Sequence, residues 1–219
     1  MNQLKYKEVK VNVNAQNSIC IRGEKVIYFD SYMIKEAKND ADYIFITHSH
    51  HDHFSPEDIK KVIKEDTRVI YPKSMKSIIK ESGLNIKTSL EVIPNKKYKI
   101  NGIKFETVSA YNNIKSFHLK KYGWVGYIIT VRDTRIFICG DSSANKYNKK
   151  VTCDIALLPI GGYYTMNAKE AAKLVNEIKP KLAIPTHYGS IIGRLEDGDT
   201  FKRLVNPEIQ VELKLFKNN

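Results

Sequence analysis

The sequence contains few cysteines and no long hydrophobic run. Its three cysteines, Cys20, Cys139 and Cys153, are widely spaced among apolar neighbours, which favours reduced core thiols over a disulfide framework. No apolar segment approaches the roughly 20 residues that span a bilayer. The start, MNQLKYKEVK, also lacks the apolar segment of a secretory signal. We therefore expect a cytoplasmic protein that does not engage a membrane.

Several catalytic motifs are missing as well. There is no G-x-S-x-G elbow, no P-loop G-x-x-x-x-G-K-[ST] and no G-x-G-x-x-G pattern. These absences argue against a serine hydrolase, a P-loop nucleotide hydrolase and a dinucleotide-binding enzyme.

Size and charge set the next limits. A chain of 219 residues can bury a core without staples, so we expect a single domain over residues 1–219. The formal net charge of +12 raises the possibility of a nucleic-acid partner. However, the lysines are spread along the chain and never form a long block, which favours a solvated basic surface over a nucleic-acid site. An anionic substrate is compatible with this surface, and the oligomeric state, including a homo-oligomer, stays open.

Strand and helix patterns divide the chain into two β-rich halves. In the first half, a hairpin of Ser18–Arg22 and Val26–Asp30 precedes the short apolar strand Tyr43–His48. A later hairpin turns at Asn101-Gly102, and the last third alternates strands with helices, one of them over Asn167–Ile178. This order predicts an α/β protein, an αββα sandwich of two mixed β-sheets with helices on the outer faces.

Four of the six histidines lie in one short segment, THSHHDHFS, from Thr47 to Ser55. Ser55 is a good N-cap and Pro56 suits the first position of a helix, so the segment forms a strand-to-helix loop. Such loops, at the carboxyl ends of strands, are where α/β sheets carry their chemistry.

The spacing H-x-H-x-D-H indicates a metal site. Imidazole and carboxylate groups bind zinc, manganese and iron, and a short loop lets several of them converge. One loop cannot complete two metal sites, so further ligands must follow later strands. The candidates are His118 (or Asn112), Asp141 and His187. Each of these alone would more often be a turn, cap or core residue, and it is their place at strand ends that favours a metal-binding role.

With these motifs the chain resembles the metallo-β-lactamase superfamily. The resemblance rests on the hairpin ending in Asp30, the T-H-x-H-x-D-H segment, Gly140-Asp141 and the later Thr186-His187-Tyr188-Gly189. The stretches LLPIGGYYTMNAKEAA and KPKLAIPTHYGSIIG are similar to the branch with ascorbate-phosphate lactonase-like proteins. The motif is specific for the superfamily and weakly informative about substrate.

The resemblance implies two divalent metal ions, zinc first and manganese or iron as alternatives. It implies that the first ion takes His48 and His50, that the second takes Asp52, His53 and His187, and that Asp141 bridges them. The superfamily supplies a third histidine to the first ion from a loop in the middle of the chain. Here that place is held by Asn112, and an amide oxygen is a poorer zinc ligand. His118, six residues further on, is either the replacement ligand or a nearby acid.

The implied activity is hydrolysis by a hydroxide held between the ions, with Asp52 orienting it, on a small anionic ester, lactone or phosphodiester. His118, His51 or Tyr164 is the candidate proton donor to the leaving group. Gly162, Tyr163 and Tyr164 precede a helix, and with Asn112 they are the expected substrate-binding residues. Backbone N–H groups there would receive an anion.

Two other functions compete with this one. A nucleic-acid-processing phosphodiesterase would use the basic charge, although no basic stretch interleaved with aromatic residues is found. A binding or sensing module with an incomplete metal site would explain Asn112. Bound metal distinguishes that module from the hydrolase.

Overall fold

The computed structural model describes residues 4–6 and 9–214. The chain divides into two compact units, Met1–Ile93 and Pro94–Asn219, and each contains one seven-stranded mixed β-sheet with its helices. The fold class predicted from the sequence, α/β with two mixed sheets and helices, is confirmed. The single domain over residues 1–219 stays a prediction.

The sheet of the first unit follows chain order from edge to edge. Its first three strand pairings are antiparallel and its last three are parallel. The strands are β1 (Leu4–Tyr6), β2 (Val9–Ala15), β3 (Ser18–Arg22), β4 (Val26–Phe29), β5 (Tyr43–Phe45), β6 (Arg68–Pro72) and β7 (Thr88–Val92).

Two short helices cover one face of this sheet. Helix α1 (Pro56–Val62) begins with Ser55, whose side chain accepts a hydrogen bond from the backbone N–H of Asp58, and with proline at its first position. Helix α2 (Lys76–Glu81) follows β6. Apolar side chains of both helices pack with alternate residues of the strands, among them Ile59 and Ile79 against Ile44 and Val69. This packing places the loop between β5 and α1 at the carboxyl end of the parallel strands.

The sheet of the second unit repeats the same pattern of pairings, three antiparallel and then three parallel. Its strands are β8 (Lys97–Ile100), β9 (Ile103–Ser109), β10 (Val125–Val131), β11 (Thr134–Ile138), β12 (Ile155–Pro159), β13 (Leu182–Thr186) and β14 (Gln210–Val211).

Helices α3 (Ala168–Ile178) and α4 (Glu196–Leu204) pack on the parallel part of this sheet. The start of α3 is fixed by a capping box, in which Asn167 and Glu170 each accept a hydrogen bond from the other's backbone N–H. Thr165 and Asn167 both have side chains typical of a helix N-cap, and the cap is Asn167. Among the described residues, no helix has the length and apolarity needed to cross a bilayer.

Several element boundaries differ from those that the sequence pattern predicts. The strand expected over Tyr43–His48 ends at Phe45, because the following backbone turns to present the histidines. The sequence pattern also predicts a helix from Ser74 to Glu81, and the structure has a 3-10 turn at Lys73–Met75 followed by α2. The pattern IQVELKLF predicts a last strand over Ile209–Phe216. Among the described residues this strand pairs at Gln210–Val211, and Leu215 and Phe216 lie outside them.

Candidate metal centre

The histidine loop of the first unit is fixed by its own backbone and by one core side chain. The N–H groups of His53 and Phe54 both donate to the carbonyl oxygen of His50, at 2.9 and 2.8 Å, which closes a tight turn. Phe54 is buried in the core beneath α1. The local sequence therefore folds the loop so that its histidines are held on a rigid turn.

Asp30, which directly follows β4, is the hydrogen-bonding centre of this loop. Its side chain is fully buried, and its backbone is in the left-handed conformation with φ of 45°. Its carboxylate accepts hydrogen bonds from Asn17 Nδ2 at 2.8 Å, from the Thr47 backbone N–H at 2.8 Å and from the Thr47 hydroxyl at 2.7 Å. His53 Nδ1 lies 2.8 Å from the same carboxylate. Because a carboxylate only accepts, His53 carries its proton on Nδ1 and keeps the lone pair of Nε2 for a metal.

His48 is oriented by Thr47 in the same way. The Thr47 hydroxyl donates its one proton to Asp30, so His48 Nδ1, at 2.9 Å from that oxygen, acts as the donor. This leaves Nε2 of His48 as a ligand atom, and it lies 3.1 Å from Nδ1 of His50. Two nitrogens are thereby turned towards each other, as two ligands of one ion would be.

The remaining two residues of the motif differ in exposure. Asp52 is buried, and its Oδ2 lies 3.6 Å from Nε2 of His53. His51 is exposed, and its ring meets the edge of the Tyr32 ring at a centroid distance of 6.0 Å. Asp52 thus belongs with the buried ligand-type residues of the first unit, and His51 stands apart from them.

The second unit places three predicted residues around one carboxylate oxygen. Oδ2 of Asp141 lies 3.3 Å from Nε2 of His118 and 3.4 Å from Nε2 of His187, and all three side chains are buried. Both histidines adopt left-handed backbone conformations, with φ of 56° and 55°. Such conformations are uncommon outside glycine and concentrate at functional sites, where surrounding structure enforces them.

These separations fit metal ligation. Two ligand atoms each about 2.0–2.2 Å from a tetrahedral ion lie about 3.3–3.5 Å apart. The two contacts of Asp141 fall in this range, and the contact between His48 and His50 is slightly shorter at 3.1 Å. The chemistry of the donors, imidazole nitrogen and carboxylate oxygen, suits zinc, manganese or iron. Ligand atoms of this kind are offered by His48, His50, Asp52, His53, His118, Asp141 and His187.

The loop after Asp141 is locked to the loop that carries His118. Ser142 donates to the carbonyl oxygen of Tyr111 at 3.0 Å, and the Tyr111 N–H returns a bond to the Ser142 hydroxyl at 3.2 Å. Asn145 Nδ2 donates to the same hydroxyl and to the carbonyl oxygen of Ser109. This buried network explains how residues from separate strands keep a common geometry.

Asn112 uses its amide to brace the same loop. Its Nδ2 donates to the carbonyl oxygens of Phe117 at 3.0 Å and Tyr164 at 2.7 Å, and its Oδ1 accepts from the Ser143 hydroxyl at 2.8 Å. The backbone N–H of Asn112 also donates to the carbonyl oxygen of His118. The two amide atoms are therefore committed to loop contacts, whereas His118 presents Nε2 to Asp141.

The segment from Gly162 to Tyr164 forms an aromatic rim with Phe117, the residue before His118. The rings of Phe117, Tyr163 and Tyr164 meet edge to face or tilted, at centroid distances of 4.6 to 6.1 Å. The N–H groups of Gly162 and Tyr163 donate to backbone carbonyl oxygens within the loop. Tyr163 is 66% exposed. The segment thus offers aromatic side chains, while two of its N–H groups are engaged locally.

Among the residues that the structure describes, no cysteine joins a group of metal-ligand residues. All three are free thiols, and burial raises the pKa of Cys20 to about 11 and that of Cys153 to about 12. Burial raises the pKa of Cys139 further. The raised pKa values keep these thiols protonated at neutral pH, as expected of reduced core side chains.

Sequence patterns alone predict no role for Asp30, Thr47 or Asn17. Asp30 was visible only as the end of a hairpin, and the threonine only as part of the motif. No spacing rule connects them with His53, since the bonds cross from β4 to the loop after β5.

A family comparison agrees with this geometry. The sequence model described as the β-lactamase superfamily domain matches residues 15–187. The chain therefore belongs to this superfamily. Its fold and its ligand-type residues indicate a metal-dependent member.

Individual relatives indicate the class of superfamily member to which this chain is similar. A "UPF0173 metal-dependent hydrolase" of Thermococcus onnurineus is 28% identical over 93% of this chain and 95% of its own length. A crystal structure of a protein from Parabacteroides distasonis, described as a candidate metal-dependent hydrolase, is 26% identical, covers 98% of both chains and has a TM-score of 0.81. The "novel metallo hydrolase" Igni18 of Ignicoccus hospitalis shares the fold, with 18% identity, 94% coverage of both chains and a TM-score of 0.74. With these relatives, the chain is a metal-dependent hydrolase of the superfamily.

Proposed function

We propose that this hydrolase cleaves an ester, lactone or phosphodiester bond of a small anionic substrate with the help of two divalent metal ions. The observation that carries the proposal is the position of Asp141, whose Oδ2 lies within 3.4 Å of Nε2 of both His118 and His187. A carboxylate between two imidazoles is the arrangement expected of a ligand shared by two ions.

The ligand assignment extends the superfamily pattern. His48, His50 and His118 would hold the first ion, Asp52, His53 and His187 the second, and Asp141 would bridge them. His118 takes the place of the missing third histidine, since the amide of Asn112 is engaged by Ser143, Phe117 and Tyr164. The family match over residues 15–187 includes all seven positions and supports the assignment. The predominance of imidazole ligands favours zinc.

When bound, two such ions lower the pKa of a water molecule and polarise the substrate oxygen. The protein side chains would position the ions and the water molecule. Asp30 fixes the tautomer of His53, and Thr47 fixes that of His48, so that both present Nε2. Asp52 is buried beside His53, and it would accept a hydrogen bond from the attacking water and so orient it.

Substrate recognition would come from side chains. Tyr163, Tyr164 and Phe117 form the aromatic rim, and Tyr163 is the most exposed of the three. The formal net charge of +12 draws anions towards the protein and supports an anionic substrate. With His118 assigned as a ligand, Tyr164 is the proposed proton donor to the leaving group. The cytoplasmic location remains part of the proposal.

The test compares bound metal and turnover in matched variants. Protein purified without chelator is expected to hold two equivalents of metal per chain and to hydrolyse at least one member of a lactone, ester and phosphodiester panel. Asp141→Asn should lose both properties. Asp133→Asn, in an exposed turn, should keep them. Turnover that persists after the metal has been removed would disprove the proposal.

A further inference from the structure

The second unit contains a cavity on the antiparallel part of its sheet. The cavity has a volume of about 260 Å³ and lies among β9, β10, β11 and the segments around residues 95–97 and 147–152. Four of its lining residues are cationic, Lys96, Lys97, Arg135 and Lys150, and one is acidic, Glu106. We call it the basic cavity.

The single carboxylate of the basic cavity is already neutralised. Glu106 Oε1 lies 2.8 Å from Nη1 of Arg135, and Nε of Arg135 donates to the carbonyl oxygen of Thr152 at 3.0 Å. Within the described ranges, none of the three lysines forms an ion pair with a carboxylate. The cavity therefore has an excess of positive charge, carried by Lys96, Lys97 and Lys150.

Further lysines lie beside Lys97 on the same face of the sheet. Lys97 lies opposite Glu106 in the antiparallel pair of β8 and β9, and Lys99 lies opposite Lys104 on the same face. Like charges directly opposite each other destabilise a β-sheet pair. β8 is an edge strand, where lysines also discourage pairing with other chains, and an anion bound across this pair would relieve the repulsion.

Two further lysines lie near an aromatic ring at the wall of the cavity. The Tyr147 ring has Lys146 Nζ 5.2 Å and Lys120 Nζ 5.9 Å from its centroid. None of the proposed metal ligands lines the cavity. Arg135 lies near the start of β11, whereas Asp141 follows the end of that strand. The basic cavity is thus distinct from the metal ligands of its unit.

From this charge balance we infer that the basic cavity binds a phosphate-bearing ligand. Several unpaired lysines around a polar concavity suit closely spaced phosphate groups better than a single carboxylate. The same chemistry is offered by a free polyphosphate compound and by the backbone of a nucleic acid. The inference does not depend on the reaction catalysed by the metal centre.

Binding of a fluorescein-labelled single-stranded DNA oligonucleotide tests the inference, with ATP and pyrophosphate as competitors. The triple variant Lys96→Glu, Lys97→Glu, Lys150→Glu should weaken binding at least tenfold. It should also lower the slope of log affinity against log salt by about 2, since each phosphate contact contributes about 0.7. The control Lys169→Glu, Lys173→Glu, Lys202→Glu changes the net charge equally, at exposed positions of α3 and α4.

The control variant should stay within about twofold to threefold of the unmodified protein. Displacement by pyrophosphate or ATP at concentrations similar to those of an unlabelled oligonucleotide competitor would identify a free phosphate compound as the ligand. Displacement by the unlabelled oligonucleotide alone would identify nucleic acid. Equal losses in the two triple variants would attribute binding to general charge and overturn the inference. Absence of binding to all three probes would also overturn it.

Discussion

His53 donates a hydrogen bond from Nδ1 to Oδ2 of Asp30 over 2.8 Å, and both side chains are completely buried. The same carboxylate also accepts bonds from Asn17 and Thr47. One buried acid therefore sets the orientation of the histidine loop. Its effect on the metal centre is indirect and can be measured.

Replacing Asp30 with Asn should weaken metal binding. An amide places an N–H₂ group where donors now converge, so His53 loses its acceptor, and loss of such a partner typically reduces metal affinity about 10–100-fold. Competition with a metal-binding dye measures the affinity. His51→Ala, at the exposed position of the motif, is the control and should leave it unchanged. A folded Asp30→Asn protein with unaltered affinity would contradict the role of Asp30.

The roles of His118 and Asn112 can be separated by two alanine variants. His118→Ala should lose one of two bound ions, since its Nε2 faces Asp141. Asn112→Ala should keep both ions and lower the free energy of unfolding by about 1–3 kcal/mol, because it leaves buried loop carbonyls without donors. Metal analysis and urea unfolding measure the two effects. Loss of metal in Asn112→Ala alone would reverse the assignment.

Tyr163→Ala should affect substrate binding more than chemistry. The side chain is 66% exposed and packs on Phe117 and Tyr164, so its removal takes away apolar contact area without touching a metal ligand. An aromatic contact of about 0.5–1.5 kcal/mol corresponds to about a 2–10-fold rise in KM. Steady-state kinetics on the best substrate measure KM and kcat. Ile78→Ala, which removes an exposed apolar side chain of α2, is the control. An unchanged KM in Tyr163→Ala would exclude Tyr163 from the binding surface.

Asp58 should make stability depend on acid pH. Burial by itself raises the pKa of this carboxyl, but hydrogen bonds from Lys61, Ser55 and the N–H groups of Met33 and Ile34 outweigh it, and the pKa is lowered. A lowered folded-state pKa gives stability that is present above the unfolded value of about 3.9 and is lost as pH falls through the folded value.

Urea unfolding at pH 7 and near pH 3 tests this expectation. The protein should lose stability at the lower pH, and Asp58→Asn should lose less between the two values because it no longer titrates. Asp133→Asn, at an exposed turn, should resemble the unmodified protein. Identical pH profiles for Asp58→Asn and the unmodified protein would rule out this contribution.

Sequence alone determined most of the secondary structure and the choice of ligand-type residues. Local signals such as Ser55 with Pro56, the Asn101-Gly102 turn and the cap at Asn167 act within a few residues, so they can be found without a fold. The motif H-x-H-x-D-H is likewise a local feature.

The tertiary structure decided what depends on contacts distant in sequence. Asp30 reaches His53 across 23 positions, and Asn112 reaches Tyr164 across 52. Neither bond has a sequence period, because each is created by strands that pair in space. The same holds for the place of His118 beside Asp141 and for the basic cavity, whose lysines come from separate segments. The local sequence determines which residues can act as metal ligands, whereas long-range packing determines how these side chains are oriented.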